Sequence, residues 1–309
     1  MTVAKALVAA QTSRFAGLDA LLPDAVAPPD GVVLTAALPA GGQVAAALTR
    51  TVTGPGAAAS LWSAAEQWEL HPLVGAAGAL GVELLLREWR RVLDLATVAD
   101  DSSCLVGWPA RDAEVSQTLL GHGFVPLSVL AVRPPGAPAA VAPPAGCRIR
   151  PVTETDLDAA VDLALLELTH SAMVGSSVVR TDATELKRAA MASRLAAGDP
   201  MWLAERDGEP VGLVECWWAE ATRHSWLGSR LRPGRWGYLN CLSVLPAHRG
   251  RGLGRALAAT AHAAMLREPV AGLFLYYSPP NPLASVFWAR QGYRPLWTHW
   301  EVRPAGALR

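Results

Sequence analysis

The sequence predicts an α/β (α+β) protein: a mixed, mostly antiparallel sheet flanked by helices, with the plan laid down twice. Three observations predict it. In the second half of the chain, strand-length apolar runs interleave with longer runs of helical period. A Pro/Ala-rich stretch at 134–146, PPGAPAAVAPPAG, has nothing with which to build a core and divides the chain into parts of similar length. The string LGHGFVPLSVLAVR that closes the first part aligns with ARQGYRPLWTHWEVR near the end of the second, given one gap. The expected organisation is therefore a first domain at 1–133, a linker at 134–146 and a second domain at 147–309.

In the first part, residues 73–93 read mostly as helix, 103–108 as a strand, 111–120 as a helix and 125–133 as a strand. In the second part, 148–151 reads as a strand. Thr153 or Thr155 caps a helix reaching about His170, with Leu157, Val161, Ala164, Leu165 and Leu168 on one side. A second helix follows at 183–197. Strands at 201–205 and 211–218 are joined by the turn Asp207-Gly208. A connection rich in Arg and Trp fills 219–236. Then come strand 237–245, helix 252–267, strand 272–278, helix 282–291 and strand 295–303.

The composition sets bounds. A chain of 309 residues suits two ordinary domains and can bury a sizeable core. The formal net charge is zero and no long basic stripe occurs, which argues against a nucleic-acid partner. Cys104, Cys147, Cys216 and Cys241 are scattered without metal-ligand spacing, so neither a metal site nor a disulfide framework is expected. No apolar run is long enough to span a membrane, and the first residues do not resemble a signal peptide. A cytoplasmic, reducing location is expected.

The most informative stretch is 237–257, GYLNCLSVLPAHRGRGLGRAL. It reads as a strand, a stop at Pro246, an Arg/Gly-rich turn and a helix. A helix start carries unpaired N–H donors and a partial positive charge, and so receives phosphate. Gly250, Gly252 and Gly254 remove side chains that would keep a bulky anion away. Arg249, Arg251 and Arg255 add charge with a fork suited to phosphate oxygens. A dinucleotide site calls for G-x-G-x-x-G with an acidic residue further on, and a P-loop for Gly-Lys-Ser/Thr. The order here is G-x-G-x-G, and the chain's two lysines are Lys5 and Lys187.

On these residues the chain resembles the GCN5-related N-acetyltransferases (GNAT). Arg249-Gly-Arg-Gly252-Leu-Gly254 matches their acyl-CoA motif R/Q-x-x-G-x-G/A. Asn281-Pro-Leu-Ala284-Ser-Val-Phe287-Trp288-Ala-Arg-Gln-Gly292-Tyr293 is similar to their N-x-x-A-x-x-L/F-Y-x-x-x-G-F. The opening Arg148-Ile-Arg-Pro-Val-Thr-Glu-Thr-Asp156-Leu looks like their first strand and helix. The resemblance covers about residues 147 to 303 and implies a GNAT-like sheet. With the internal repeat, it implies tandem domains of which the first is degenerate. Its corresponding stretch, HPLVGAAGALG, keeps Gly75, Gly78 and Gly81 but has no Arg.

The resemblance further implies acetyl-CoA as co-substrate, no metal, and direct transfer to a primary amine in a ternary complex. The diphosphate falls to the backbone from Arg249 through Gly250, Arg251, Gly252, Leu253 and Gly254 to Arg255. The pantetheine arm falls to Leu242, Ser243 and Val244, and the second motif adds Asn281, Phe287 and Trp288. The acceptor is a small-molecule or protein amine, and a homodimer is compatible with the reading.

Protonation decides which catalytic side chain matters more. Deprotonating a lysine-like amine of pKa about 10.4 costs about 4–5 kcal/mol at neutral pH, whereas a thiol near pKa 8.5 costs about 2 kcal/mol to leave as thiolate. A base therefore matters more than an acid. The chain departs from the family at both places, with Asn240 where many members carry Glu and Trp288 where they carry Tyr. Glu215, then His224 and Glu220, are the candidates for the base, with water relayed through Asn240 as a further route. Tyr277, Tyr293 and Ser278 are the stand-ins for the acid. Trp226 and Trp236, in the polar connection, are candidates for the wall of an acceptor pocket suited to an apolar or planar amine. The alternative to an enzyme is an acyl-CoA-binding regulatory or scaffold protein with weak catalysis.

Overall fold

A computed structural model describes residues 3–137, 140–223 and 225–309. The first part contains α1 (Val3–Leu18), β1 (Val32–Ala37), β2 (Gln43–Val52), β3 (Glu66–Leu73), α2 (Gly78–Asp94), β4 (Ser102–Pro109), α3 (Ala113–Gly121) and β5 (Val125–Arg133). The second contains β6 (Cys147–Pro151), α4 (Leu157–Met173), α5 (Ala183–Ala196), β7 (Met201–Arg206), β8 (Glu209–Ala221) and β9 (Gly234–Val244). It continues with α6 (Leu253–Met265), β10 (Gly272–Tyr277), α7 (Ser285–Arg290) and β11 (Arg294–Val302). The order β1-β2-β3-α2-β4-α3-β5 is the order β7-β8-β9-α6-β10-α7-β11, so the plan does occur twice.

Among the described residues, the eleven strands join one sheet, in the order β1-β2-β3-β4-β11-β5-β10-β9-β8-β7-β6. Its pairings are antiparallel except β3 with β4 and β9 with β10, the corresponding pair in each half. The expected mixed, mostly antiparallel sheet is therefore present. The two halves also exchange their last strands. β5 of the first half lies between β10 and β11 of the second, and β11 lies between β4 and β5 of the first. Each half thus completes the other's sheet.

Both faces are covered. Along β8, Leu213 packs with α4 residues such as Val161 and Ala164, while its neighbour Val214 packs with α6 residues such as Leu257 and Ala261. Successive strand side chains point to opposite faces, so α4 and α6 lie on opposite sides of the sheet. In the first half, α2 buries Val82, Leu85, Leu86 and Trp89 against the sheet. Their i, i+3, i+4, i+7 spacing is that of one helical face. Arg150 of β6 holds Asp156 through both guanidinium Nη atoms at 2.6 and 2.8 Å, fixing the turn into α4.

Several predicted boundaries shift for identifiable reasons. The predicted helix at 73–93 begins only at Gly78, because β3 runs to Leu73 and a short 3-10 turn at Gly75–Ala77 intervenes. The predicted connection at 219–236 is shortened at both ends by β8 and β9, which pair from Gly212↔Val244 to Ala221↔Gly234. Trp236 therefore sits in a strand, 6% exposed in the core, with Nε1 donating to the Arg232 carbonyl, and forms no pocket wall. Helices α6 and α7 are shorter than predicted by a few residues at their ends.

Candidate functional site

Strands β9 and β10 pair over only three residues, Gly272↔Trp236 to Phe274↔Tyr238. Beyond them β9 continues to Val244 and β10 to Tyr277, so the two strands part. A backbone edge left without a strand partner must find other hydrogen-bond partners. On its other side, β9 carries a bulge. Glu215 pairs with Cys241 and Cys216 with Leu239, leaving Asn240 as the extra residue. Such a bulge kinks a strand and re-aims a side chain.

A cavity of about 1250 Å³ opens at this parting. At one end it reaches the turn between β9 and α6. Gly250 and Gly252 adopt φ of +75° and +87°, and nothing lies within 4 Å of where a Cβ would stand on either. The left-handed conformation at Gly252 starts α6 and disfavours any residue with a side chain. The loop is thus open over the start of a 13-residue helix. The Arg249 guanidinium Nε donates to the Val244 carbonyl at 2.9 Å, tying the loop to the end of β9.

The corresponding turn of the first half is closed. Gln11 of α1 accepts hydrogen bonds from the Val74 and Gly75 amides at 3.0 and 2.8 Å. A Cβ on Gly75 would meet Ala10 at 2.7 Å, and one on Gly78 would meet the Arg14 guanidinium at 2.7 Å. The donors that would receive an anion there are occupied by the protein itself.

Of the residues expected to hold the co-substrate, Leu242, Ser243, Val244, Arg249, Gly250, Gly252, Leu253, Gly254, Arg255, Asn281, Phe287 and Trp288 all line the cavity. Arg251 does not; it is exposed beside the loop. Arg290 and His248, which the sequence reading missed, line the cavity as well. Asn281 shapes its own turn, its Oδ1 accepting from the Leu283 amide at 2.9 Å.

Among the proposed catalytic residues, Glu215, Asn240 and Tyr277 line the cavity, and His224 lies outside the described residues. Glu215 is 2% exposed. Its Oε2 accepts from Asn240 Nδ2 at 2.6 Å, and Lys187 Nζ stands 3.8 Å away. Lys187 is itself buried on α5 and lies 5.5 Å from the centre of the Trp62 ring. Glu167 of α4, held by the Ser171 hydroxyl, completes the cluster. Burial raises the Glu167 carboxyl above the usual carboxylate range against the opposing pull of Lys187. Sequence reading missed Lys187 and Glu167 because each sits within a helix whose spacing, taken alone, reads as an ordinary amphipathic face.

Burial also raises Tyr277. Glu220 is exposed near Arg235, and Tyr293 is buried against His262 Nε2 at 3.0 Å, outside the cavity lining. Cys216 and Cys241 are buried, and burial pushes their thiols well up.

The first half contributes to the cavity as well. Trp62 and its neighbours, Gln67 of β3, Leu105 of β4 and Ser128 of β5 line it together with Trp226, Tyr276 and His299. Trp226 is thus at the cavity, whereas Trp236 is not. Among the described residues no cluster of three or more His, Cys, Asp or Glu is placed to hold a metal ion. Among them, too, no helix is long and apolar enough to cross a membrane.

Residues 166–293 match the model of the acetyltransferase (GNAT) family. A GCN5-related N-acetyltransferase from Sphaerobacter thermophilus aligns over 98% of this chain and 92% of its own, with a TM-score of 0.55 and 18% identity. A tandem GNAT protein from the clavulanic acid biosynthesis pathway aligns over 98% of this chain and 96% of its own, with a TM-score of 0.49 and 16% identity. A GCN5-related N-acetyltransferase from Ralstonia eutropha JMP134 aligns over 48% of this chain and 94% of its own, with a TM-score of 0.40 and 25% identity. No curated protein matches the chain. The fold shared with the Sphaerobacter protein extends over nearly the whole chain, and the residues that match the GNAT family model lie in the second half.

Proposed function

We propose that this chain, which carries a GNAT-family domain at 166–293, moves an acetyl group from acetyl-CoA to a primary amine in a ternary complex. The observation that carries the reading is the joining, in one cavity, of an open anion-receiving loop, a parted strand edge and a buried carboxylate. The loop from Arg249 to Arg255 takes the diphosphate, with the start of α6 and Arg249, Arg255 and Arg290 supplying positive potential. The β9 edge from Leu242 to Val244 takes the amides of the pantetheine arm. Holding both reactants in line supplies roughly 7–11 kcal/mol of rate acceleration without a catalytic side chain.

Glu215 takes the proton of the acceptor ammonium. The lone pair of the nitrogen then attacks the thioester carbonyl, the C–N bond forms, the C–S bond breaks, CoA leaves as its thiolate, and the second proton of the acylated nitrogen passes to that thiolate, giving the amide and free CoA thiol. Asn240 positions Glu215 through its hydrogen bond. Tyr277 is the hydroxyl at hand for the leaving thiolate, and Trp288 serves as wall. The first half, whose corresponding loop is sealed by Gln11, supplies acceptor-side surface rather than a second co-substrate site.

The test is calorimetry with acetyl-CoA followed by thiol release with a panel of amines. Binding with amine-dependent thiol release is the expected result. Binding without turnover on any amine would favour the regulatory alternative, and folded protein that binds no acetyl-CoA would remove both readings.

A further inference from the structure

We propose that the acceptor is a small amine built on a planar ring, with an uncharged hydroxyl-type group at the end away from the amine. The proposal rests on the acyl-transfer reading of the same cavity. It starts from the strand exchange. Leu105, His299, Ser128 and Tyr276 line the cavity from β4, β11, β5 and β10, four successive strands drawn alternately from the two halves. Without the exchange these side chains would not share a floor.

The floor has unmet chemistry. The Tyr276 hydroxyl and His299 Nε2 are shielded, and neither has a hydrogen-bond partner among the described residues. Buried polar atoms are rarely left so, because each forfeits its bond to water. The two rings are 5.7 Å apart, close enough to serve one ligand group. That group is uncharged. Burial and the Arg230 guanidinium press the His299 imidazole down to about 3, so it is neutral and offers no charge to an anion. Arg230, 5.8 Å from the Trp226 ring centre, already has its charge met by Glu69 at 3.3 Å, so neither an anion nor a cation finds a free charged partner there. A hydroxyl can donate to a neutral imidazole and accept from a phenol at once.

The ring is called for by Trp226. It stacks with His299 at 6.1 Å and 27° and is still 51% exposed, so it has indole surface left to cover. Planar rings pack there by offset stacking or edge contact. The carboxylate of Glu215 is in the same cavity for the amine. The stem of a peptide lysine would leave Tyr276 and His299 unsatisfied, and the far ammonium of a polyamine, a donor only, could not accept from the Tyr276 hydroxyl.

Tyramine, phenethylamine, cadaverine and a lysine-containing peptide, each with acetyl-CoA, test the proposal. Tyramine is expected to exceed phenethylamine in kcat/KM by at least about tenfold, the worth of a hydrogen bond into a buried site. His299→Leu and Tyr276→Phe should each lower kcat/KM for tyramine and narrow that ratio, with acetyl-CoA affinity retained as the check on folding. Calorimetry of tyramine and phenethylamine with CoA-saturated protein should give the same ranking without turnover. Equal values for the two, or preference for cadaverine or the peptide, would overturn the proposal while leaving acyl transfer intact. Failure to bind acetyl-CoA would overturn acyl transfer and this proposal together.

Discussion

At Glu215 a glutamine keeps the shape of the side chain and can still accept from Asn240, while removing the charge that takes a proton. Glu215→Gln is therefore expected to lower kcat by roughly 10²–10⁴, the usual contribution of a positioned base. Acetyl-CoA affinity should stay as it was, and stopped-flow thiol release with calorimetry separates the two quantities. An unchanged kcat would assign the proton to water instead. His262 governs a different observable. Burial, with Arg133 adding to it, lowers its pKa from the ordinary 6.5 to about 4. Below pH 6.5 the unfolded chain takes up a proton that the folded chain refuses, so this contribution is present above 6.5 and lost as pH falls toward 4. His299 acts in the same sense. The melting temperature of His262→Gln should fall less steeply between pH 6.5 and 4 than that of the natural chain, and parallel curves would refute the assignment. Glu215 was legible in the sequence as the acidic residue on the strand beside the motif. Its neighbours Lys187 and Glu167 were not, because they reach it from α5 and α4, and no spacing along the chain encodes that meeting.

Two loops with the same place in the plan differ in what occupies them. The turn before α6 is open, while the turn before α2 has its Val74 and Gly75 amides bound by Gln11. Gly252→Val forces a β-branched residue into a left-handed conformation, costing of order 1–3 kcal/mol of strain or a rearranged loop. It is expected to weaken acetyl-CoA binding at least about tenfold, since 1.4 kcal/mol is a factor of ten. Gln11→Ala frees two buried amides and should destabilise the fold by about 1–3 kcal/mol. Acetyl-CoA affinity should not change. Urea denaturation and calorimetry on both variants check the pair, and a second acetyl-CoA bound by Gln11→Ala would contradict the scaffold reading of the first half. The loop before α6 was readable because its glycines and arginines carry the chemistry locally. The closure of the other was hidden, since the residue that fills it lies about sixty positions earlier in a helix the sequence pattern did not reveal. The apolar residues of α1 are spread around its circumference and give no single periodic face. The strands at 32–73 went unread for a related reason. Alanines and charges in them mute the alternation on which strand reading depends.

Across the whole molecule, the internal repeat was visible in the Gly-aromatic strand starts, but the interleaving of the halves was not. A repeat in sequence tells that two units share a plan and says nothing of which edge each last strand joins. The consequence is mechanical. β5 is hydrogen-bonded to β10 on one side and β11 on the other, both from the opposite half, while β11 bridges β4 and β5. Separating the halves would expose strand edges and the apolar side chains Leu130, Val132, Phe274 and Trp297, which pack in one cluster drawn from both. Exposed edges of that kind pair with other chains and aggregate. The linker at 134–146 contributes no strand or helix among its described residues, so it tethers the halves without holding them together. Cutting it in the folded protein, through a protease site inserted near Gly136, should leave two fragments that co-elute on size exclusion and retain acetyl-CoA binding. Residues 147–309 expressed alone should be insoluble or poorly folded, and co-expression with 1–133 should restore them. Fragments that part after cleavage, or a second half that folds alone with unchanged stability, would show that the exchanged strands are dispensable, and with them the shared floor on which the acceptor pocket depends.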